Sequence, residues 1–255
     1  MYIDTHAHIY TPQFADEYDD IISRAVDVGV ERIIMPNIDL TTVESMMELS
    51  RRYPQSCLPM IGLHPCSVTE AYLQDLDSLQ PYLEDQEVVG VGEIGIDLYW
   101  DKTFVKAQKD AFRIQVNWAR ERQVPIAIHS RDSIEMTIDI ITEMQDGRLR
   151  GIFHCFTSGS EEAKRIVNLG FHVGIGGVAT FKKSTDLRKT IASIPMDSIV
   201  LETDAPYLSP SPYRGKRNES SYLPHIAEVV STSKETSLEE VRNRTTENAK
   251  TLFGL

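Results

Sequence analysis

Seven histidines are spread over the 255-residue chain, and five of them lie at or near the carboxyl end of a short apolar run. The first run carries His6 and His8, which would face the same side of a strand because they are two residues apart. Imidazole nitrogens and carboxylate oxygens are common ligands of divalent metals, so these positions suggest a metal centre. His64 ends an equivalent run. The candidate ligands are His6, His8, Glu93, His129, His154 and Asp204.

Burying so many ionisable groups together without a cation would be very costly. The size of the set favours two divalent cations per chain. Two ions about 3.5–4 Å apart need a bridging ligand. Glu93 suits that role because each of its oxygens can bind one ion, whereas Asp97 lies past the predicted strand end and is assigned to a supporting position. Four imidazoles favour Zn²⁺, Mn²⁺, Ni²⁺ or Fe over Mg²⁺, and the metal species stays open.

The elements that would hold these residues are short apolar runs separated by segments of helical period. Alternation of strands and helices indicates a parallel sheet. Eight such units in one chain of this size predict the α/β class and a single (β/α)8 TIM barrel over residues 1–255. An open doubly wound sheet is the alternative, but no glycine-rich phosphate turn follows the first run. The predicted strands are Tyr2–Ile9, Arg32–Ile38, Leu58–His64, Val88–Ile96, Val124–His129, Gly151–Phe156, Phe171–Gly177 and Ser198–Glu202.

In such a barrel the active site lies at the carboxyl ends of the strands. Alternation along the fifth strand predicts that His129 points inward with Ala127, while Ile126 and Ile128 pack outward. The sixth and eighth strands give the same orientation to His154 and Asp204. Two further carboxylates, Asp4 and Glu202, fall one layer deeper and are expected to orient His6 or His8.

The composition limits the possible functions. Lys and Arg number 26 against 38 for Asp and Glu, so the net charge of −12 argues against wrapping duplex nucleic acid by bulk charge. Bound cations can reverse the field locally, so nucleic acid is still possible as a substrate. Three cysteines without a CxxC pair indicate no disulfide framework and a cytoplasmic location. No apolar run is long enough for a membrane span, no signal peptide is evident, and no obligate protein partner is indicated.

With Asp4-Thr5-His6-Ala7-His8, Gly92-Glu93-Ile94-Gly95 and Glu202-Thr203-Asp204-Ala205-Pro206 at its strand ends, the chain resembles the TatD-type metal-dependent deoxyribonucleases, a branch of the amidohydrolase-like barrels, over its whole length. The resemblance implies a two-metal hydrolase with the six ligands named above, and DNA hydrolysis from a 3′ end, with single strands as the expected substrate. One departure is Tyr10, which stands where the family has Asp or Asn. The landmarks are Ile3-Asp4-Thr5-His6-Ala7-His8, Gly62-Leu63-His64-Pro65, Gly92-Glu93-Ile94-Gly95, Pro125-Ile126-Ala127-Ile128-His129-Ser130-Arg131, Leu201-Glu202-Thr203-Asp204-Ala205-Pro206 and Arg214-Gly215-Lys216-Arg217-Asn218-Glu219.

The catalytic hypotheses follow from position. Asp204 is the expected general base, because one oxygen can bind a metal while the other accepts the proton of water. His64 is expected to contact a phosphate oxygen or to assist the leaving group. Arg131 and Arg214 are expected to bind substrate phosphates through paired N–H groups, with Lys216 and Arg217 nearby.

Other interpretations stay open at this stage. A deacylase, lactonase or amidase could use the same scaffold, but such barrels commonly bridge their metals with a carbamylated lysine, and no lysine ends a predicted strand. A phosphomonoesterase could use the same ligands. A non-enzymatic barrel is disfavoured because every ligand position is intact. Tyr99 and Trp100 follow the fourth strand and could either stack on a base or plug the rim.

Overall fold

The structure, a computed structural model, describes residues 1–255. Its eight strands are β1 (Tyr2–Asp4), β2 (Val30–Pro36), β3 (Cys57–Ile61), β4 (Gly90–Asp97), β5 (Ile126–Arg131), β6 (Gly151–Phe153), β7 (His172–Ile175) and β8 (Ile199–Leu201). They form one sheet in chain order, and each neighbouring pair from β1 to β8 is parallel.

Nine α-helices flank the sheet, with short 3₁₀ turns between some elements. Each connection from β1 to β8 carries one helix, and two helices follow β8. None of the helices combines the length and the apolar character that crossing a bilayer would require. The helices are α1 (Tyr18–Asp27), α2 (Val43–Arg52), α3 (Tyr72–Leu79), α4 (Val105–Arg122), α5 (Ile134–Met144), α6 (Ser160–Asn168), α7 (Thr185–Ser193), α8 (Leu223–Lys234) and α9 (Leu238–Phe253).

The sheet closes on itself between its first and last strands. A parallel bridge joins Ala7 to Ala205, just beyond β1 and β8. Just before this bridge along both segments, the backbone N–H of Thr5 donates to Leu201 O at 3.0 Å and that of Asp204 donates to His6 O at 2.8 Å. The fold is therefore the (β/α)8 TIM barrel that the sequence predicted.

Two buried clusters fill the barrel and its surroundings. The larger lies between the strands and the helices and contains Ile126 and Ile128. The smaller draws apolar side chains from six strands, including Ala127 of β5 and Ile152 of β6, and α9 contributes Leu252. Side chains from so many strands can meet only inside the barrel. The predicted inward and outward faces of β5 are thus confirmed.

Several strands end earlier than predicted. The first was expected to run to Ile9, but β1 ends at Asp4. β6 ends at Phe153 and β8 at Leu201, so His154 and Asp204 follow their strands. The chain beyond each strand is still tied to its neighbours by single backbone bonds, such as Ala7 N to Ile34 O at 3.0 Å. These side chains therefore stand at the rim of the barrel, where the ladder gives way to loops.

The loop after β8 leads into two helices, α8 and then α9. The helical spacing of Leu223, Ile226, Ala227 and Val230, all buried, was visible in the sequence. α9 begins at a capping side chain, since Ser237 Oγ accepts the N–H of Glu240 at 3.1 Å.

Candidate metal centre

Glu93 lies at the centre of the rim with both oxygens in contact with imidazole nitrogens. Its Oε2 atom is 3.1 Å from His6 Nε2 and 3.2 Å from His8 Nε2, and the two nitrogens are 3.2 Å apart. Two nitrogens on one tetrahedral ion with bonds of 2.0–2.1 Å would lie roughly 3.3 Å apart. This group of three donors, all buried, therefore has the spacing of ligands around one cation.

The other oxygen of Glu93 faces a second group. Its Oε1 atom is 2.7 Å from His154 Nε2 and 2.8 Å from His129 Nδ1, and these nitrogens are 3.3 Å apart. The two groups adjoin, because the rings of His6 and His154 stack with their centroids 3.8 Å apart. One carboxylate therefore joins two clusters of imidazoles.

Hydrogen bonds on the far side of two rings fix which nitrogen presents its lone pair to the site. His8 Nδ1 lies 3.1 Å from the carbonyl of Pro36, which can only accept, so its proton belongs on Nδ1 and leaves Nε2 free. His129 Nε2 lies 3.0 Å from Asp97 Oδ2, so in the neutral ring Nδ1 is the free nitrogen. That lone pair then faces an oxygen of Glu93. Either a second ring proton or a cation would satisfy this contact, and a divalent metal fits the donor set.

The pKa shifts of Glu93 and of the imidazoles around it show how their charges are balanced. Burial disfavours a charge on Glu93, but His154, His64 and His6 outweigh burial and hold the pKa of this carboxyl well below its usual range. Burial likewise opposes a charge on His154, but Glu93 dominates and raises the pKa of this imidazole well above its ordinary value. The pKa of His129 is raised too, because Asp97 and Glu93 outweigh burial. Positive charge is thus favoured on His129 and His154 beside an ionised Glu93, whereas burial lowers the pKa of His6 well below its ordinary value.

Asp204 stands across from Glu93 on the loop after β8. Its Oδ1 atom lies 3.7 Å from His8 Nε2 and 3.9 Å from His6 Nε2, so it faces the first group without contacting it directly. Its backbone has a φ of 59°, a left-handed conformation that Asp tolerates better than most residues. Burial raises the pKa of Asp204 to about 6, against the opposing effect of His154 and His8.

His64 lies beside the second group but has a different proton arrangement. Its Nδ1 atom accepts the backbone N–H of Cys66 at 3.1 Å, which places the ring proton of the neutral imidazole on Nε2. Nε2 lies 3.4 Å from Glu93 Oε1 and 3.3 Å from His129 Nδ1. A nitrogen that carries a proton cannot bind a metal, so His64 is a hydrogen-bond donor at the edge of the cluster. The burial of the imidazole lowers its pKa and favours this neutral form.

The two deeper carboxylates have separate tasks. Glu202 is fully buried, accepts the backbone N–H of Cys155, and has its Oε1 atom 3.7 Å from His154 Nδ1. It was expected to orient His6 or His8; its nearest imidazole is His154, and a ring nitrogen of His6 also lies within 4.8 Å of one of its oxygens. Asp4 joins β1 to the chain just after β8, because it accepts the N–H of Thr203 at 2.9 Å and its hydroxyl at 2.6 Å, and it also accepts the backbone N–H of His6 at 3.4 Å. The alternation of side chains along the strands predicted that Asp4 and Glu202 are buried, but it could not identify their hydrogen-bond partners.

Tyr10 has a definite place in this site. Its hydroxyl donates to the Pro36 carbonyl at 2.6 Å and lies 2.9 Å from His8 Nδ1. Both the phenol and the imidazole therefore converge on one carbonyl, and the buried ring of Tyr10 packs edge-on against His8. The residue that departs from the family pattern supports the orientation of a ligand candidate.

The cluster opens into a cavity of about 660 Å³ at the carboxyl ends of the strands. Arg131 lines this cavity, as expected, together with Trp100. The loop after β8 contributes Tyr207 and Leu208, which the sequence pattern had not indicated. Their exposure on that loop, 48% and 40%, could not be predicted from apolar spacing.

The basic residues of the same loop separate into two kinds. The guanidinium of Arg214 is exposed and stacks over the Phe181 ring, with Cζ 3.7 Å from the centroid. Arg217, in contrast, pairs with Glu17 at 2.6 Å and contacts the Gln13 carbonyl. Arg217 therefore fastens the loop to the chain after β1. Sequence reasoning also missed Lys182 and Lys183, which are exposed next to Phe181.

Comparison with known proteins agrees with this architecture. The model of the family described as TatD related DNase matches residues 3–254. The chain is 38% identical over 253 residues to the uncharacterized metal-dependent hydrolase YabD of Bacillus subtilis (strain 168), with 99% of each covered. It is 31% identical over 255 residues to the 3′-5′ ssDNA/RNA exonuclease TatD of Salmonella typhimurium, with 98% of each covered. The crystal structure of YJJV, a TatD homolog from Escherichia coli K12, superposes with a TM-score of 0.94 at 28% identity, covering 100% of this chain and 98% of that one.

A (β/α)8 barrel whose rim gathers imidazoles around a shared carboxylate, with relatives of this kind, defines a metal-dependent hydrolase. More narrowly, the chain belongs to the TatD related DNase family.

Proposed function

We propose that this hydrolase is a deoxyribonuclease that removes nucleotides from the 3′ end of single-stranded DNA, with two divalent cations per chain. The observation that carries the proposal is the position of Glu93, whose two oxygens face separate imidazole groups. A site for two ions is suited to phosphodiester cleavage, in which both the attacking and the leaving oxygen carry negative charge. The Salmonella relative named a 3′-5′ ssDNA/RNA exonuclease supports this substrate and makes RNA a necessary comparison. Three free cysteines support the expected cytoplasmic location.

The proposed metal-binding residues follow the two groups. His6, His8 and Glu93 would hold one ion, with Asp204 facing it from the loop after β8. His129 and His154 would hold the other with Glu93. When bound, such ions activate water as a nucleophile and stabilise charge on the scissile phosphate.

Asp204 and His64, beside the two groups, are proposed as a proton acceptor and a proton donor. Asp204 would accept a proton from the attacking water, because its carboxylate faces the first group of ligands from the loop after β8. His64 would donate its Nε2 proton to a phosphate oxygen or to the leaving oxygen, because Nδ1 is already occupied by the Cys66 N–H.

The substrate would be bound by cations on two sides of the cavity. Arg131 is the last residue of β5 and lines the cavity, while Arg214 is exposed on the loop after β8. Guanidinium groups form paired hydrogen bonds with phosphate oxygens. We assign both arginines to the phosphates that flank the scissile one.

The decisive experiment is hydrolysis of single-stranded DNA carrying a label at either the 5′ or the 3′ end. A 3′ exonuclease yields a shortening ladder from the 5′-labelled strand and releases the 3′ label as a mononucleotide at once. EDTA should abolish cleavage, and add-back of Mg²⁺, Mn²⁺, Zn²⁺ and Ni²⁺ should identify the supporting metal. RNA of the same sequence and a panel of esters and amides complete the test. Faster hydrolysis of an ester or amide than of DNA, at equal metal content, would refute the nuclease assignment.

A further inference from the structure

Two large aromatic side chains are exposed at the rim beside the metal centre. Trp100 is 70% exposed and Tyr99 is 53% exposed, on the loop that follows β4. Trp100 lines the same cavity as Glu93 and His129. An aromatic plug would be largely buried, so this exposure leaves the indole free to contact a bound molecule rather than to close the barrel.

The aromatic residues are held in place by the metal-supporting residue Asp97. Its Oδ1 atom accepts the backbone N–H groups of Tyr99 at 2.9 Å and of Trp100 at 3.1 Å. The next residue, Leu98, donates its N–H to the Arg131 carbonyl at 2.9 Å. The loop is thereby fixed to the ends of β4 and β5. Little ordering is then required when a ligand binds, which favours affinity.

Arg131 completes a small surface with these two rings. Its guanidinium carbon lies 3.7 Å from the centroid of Tyr99 and 5.4 Å from that of Trp100, and the two rings meet edge to face at 4.9 Å. Stacking on Tyr99 orients the guanidinium but leaves its N–H groups without a carboxylate partner. This surface, called the aromatic rim below, thus combines π faces with a cation at the edge of a proposed phosphodiesterase site.

We propose that the aromatic rim binds the nucleotide next to the scissile phosphate, with Trp100 stacking on its base and Arg131 contacting its phosphate. This inference rests on the proposed nuclease function and specifies how the substrate is recognised. Stacking is available to every base, so the aromatic rim should select for the presence of a base and not for its identity. A site of this kind suits an enzyme that must advance along an arbitrary sequence.

Fluorescence gives a direct test of binding. The chain has two tryptophans, and Trp118 is only 7% exposed, so Trp118→Phe leaves Trp100 as the single reporter. A single-stranded oligonucleotide should quench this emission, and oligonucleotides with one abasic residue should reveal a position, counted from the 3′ end, where the quench is lost. Trp100 emission that does not change with DNA, or that changes equally with a fully abasic strand, would overturn the proposal.

Kinetics provide the second test. Trp100→Ala should raise KM for the intact strand about tenfold or more with little change in kcat, and Trp100→Phe should recover most of the loss. In the Trp100→Ala variant, KM should be the same for the intact strand and for the strand with an abasic residue. Leu73→Ala, which removes a side chain 52% exposed on α3, is the matched control and should behave like the wild type. Metal content, measured in each variant, should not change.

The two hypotheses fail in different ways. If the wild type cleaves DNA but Trp100→Ala has the wild-type KM on both intact and abasic strands, the aromatic rim is refuted and the nuclease stands. If the wild type cleaves no nucleic acid, the nuclease assignment fails, and the binding experiment alone decides the aromatic rim.

Discussion

The Oδ2 atom of Asp97 lies 3.0 Å from Nε2 of His129, while the Oδ1 atom of the same carboxylate accepts two backbone N–H groups of the loop after β4. One side chain therefore fixes the tautomer of an imidazole at the metal centre and the position of Trp100. Bonds with His129 and with these N–H groups outweigh burial and keep the pKa of Asp97 well below its usual range.

Asp97→Asn should change the tautomer of the His129 imidazole. The amide oxygen can still accept the two backbone N–H groups, but the amide nitrogen would then donate to His129 Nε2 and force the ring proton onto Nδ1. Metal affinity should fall about 10–100-fold. Isothermal titration with Zn²⁺ or Mn²⁺ would measure it. Asp101→Asn, an exposed change in the same loop, should bind metal like the wild type. An unaltered affinity in Asp97→Asn would contradict the assigned tautomer.

Glu93→Gln should reduce the number of bound ions. The amide retains one oxygen but loses the charge that both imidazole groups share, so at least one metal should be released. Elemental analysis after gel filtration gives the stoichiometry. Glu48→Gln, on the exposed face of α2, provides a matched loss of one charge. Two ions per chain in Glu93→Gln would rule out the bridging role.

Asp204→Asn should separate metal binding from proton transfer. The amide keeps an oxygen toward the site but cannot accept a proton from water. If Asp204 is the general base, kcat on single-stranded DNA should fall by about 10²- to 10⁴-fold while the metal content is maintained. A rate close to that of the wild type with both metals retained would exclude this role.

Arg214→Ala and Arg217→Ala, both in the loop after β8, should have different effects, the first on DNA binding and the second on stability. Arg214→Ala should weaken binding of single-stranded DNA and flatten its salt dependence, by about 0.7 in the slope of log K against log salt for each phosphate that the protein no longer neutralises. Arg217→Ala breaks the ion pair with Glu17 and should lower the melting temperature with little effect on that slope. Fluorescence anisotropy at several salt concentrations and thermal unfolding distinguish them. A flattened slope in Arg217→Ala alone would reverse the assignment.

Asp4 should make the stability of the metal-free protein depend on pH. Burial raises the pKa of Asp4 to about 7, against the hydrogen bonds from Thr203, whereas the unfolded chain has the ordinary value of 3.8. The folded state therefore binds the extra proton, and its stability decreases as the pH rises through this interval. Between pH 5 and pH 8, ionisation of Asp4 should lower the free energy of unfolding by about 2–3 kcal/mol.

Asp4→Asn cannot titrate at this position and provides the comparison. Urea unfolding of both proteins in EDTA at pH 5 and pH 8 should show the wild type losing more stability than the variant. The difference between the two proteins isolates Asp4 from Asp204, whose raised pKa acts in the same direction. Parallel losses in both proteins would show that Asp4 is not the responsible group.

Sequence reasoning was most successful where local pattern and topology coincide. Strand alternation placed Ala127 inside and Ile128 outside, and the parallel barrel then brought Glu93 and His129 to one end. It was weakest where a side chain depends on a backbone group from a distant segment. The Pro36 carbonyl that receives Tyr10 and His8 carries no signal in its residue type.

Arg217 illustrates the same limit for charge. Its neighbours in sequence suggested a phosphate contact, but its partner Glu17 lies 200 positions away along the chain. A cation on a loop is equally compatible with solvent, substrate or a carboxylate. Only the packing of the chain after β1 against the β8 loop decides between them.

The barrel closes between the segments that follow β1 and β8, and this closure determines when the site can be complete. Asp4 and Thr203, which are bonded across it, are 199 positions apart, and His6 and Asp204 are joined there by a backbone bond. Contacts of such sequence separation carry a large loop-closure entropy. His6 and His8 come from the start of the chain and Asp204 from near its end, so no partly synthesised chain that lacks β8 can contain the complete cluster. Maturation of the centre is thus coupled to joining the two ends of the polypeptide.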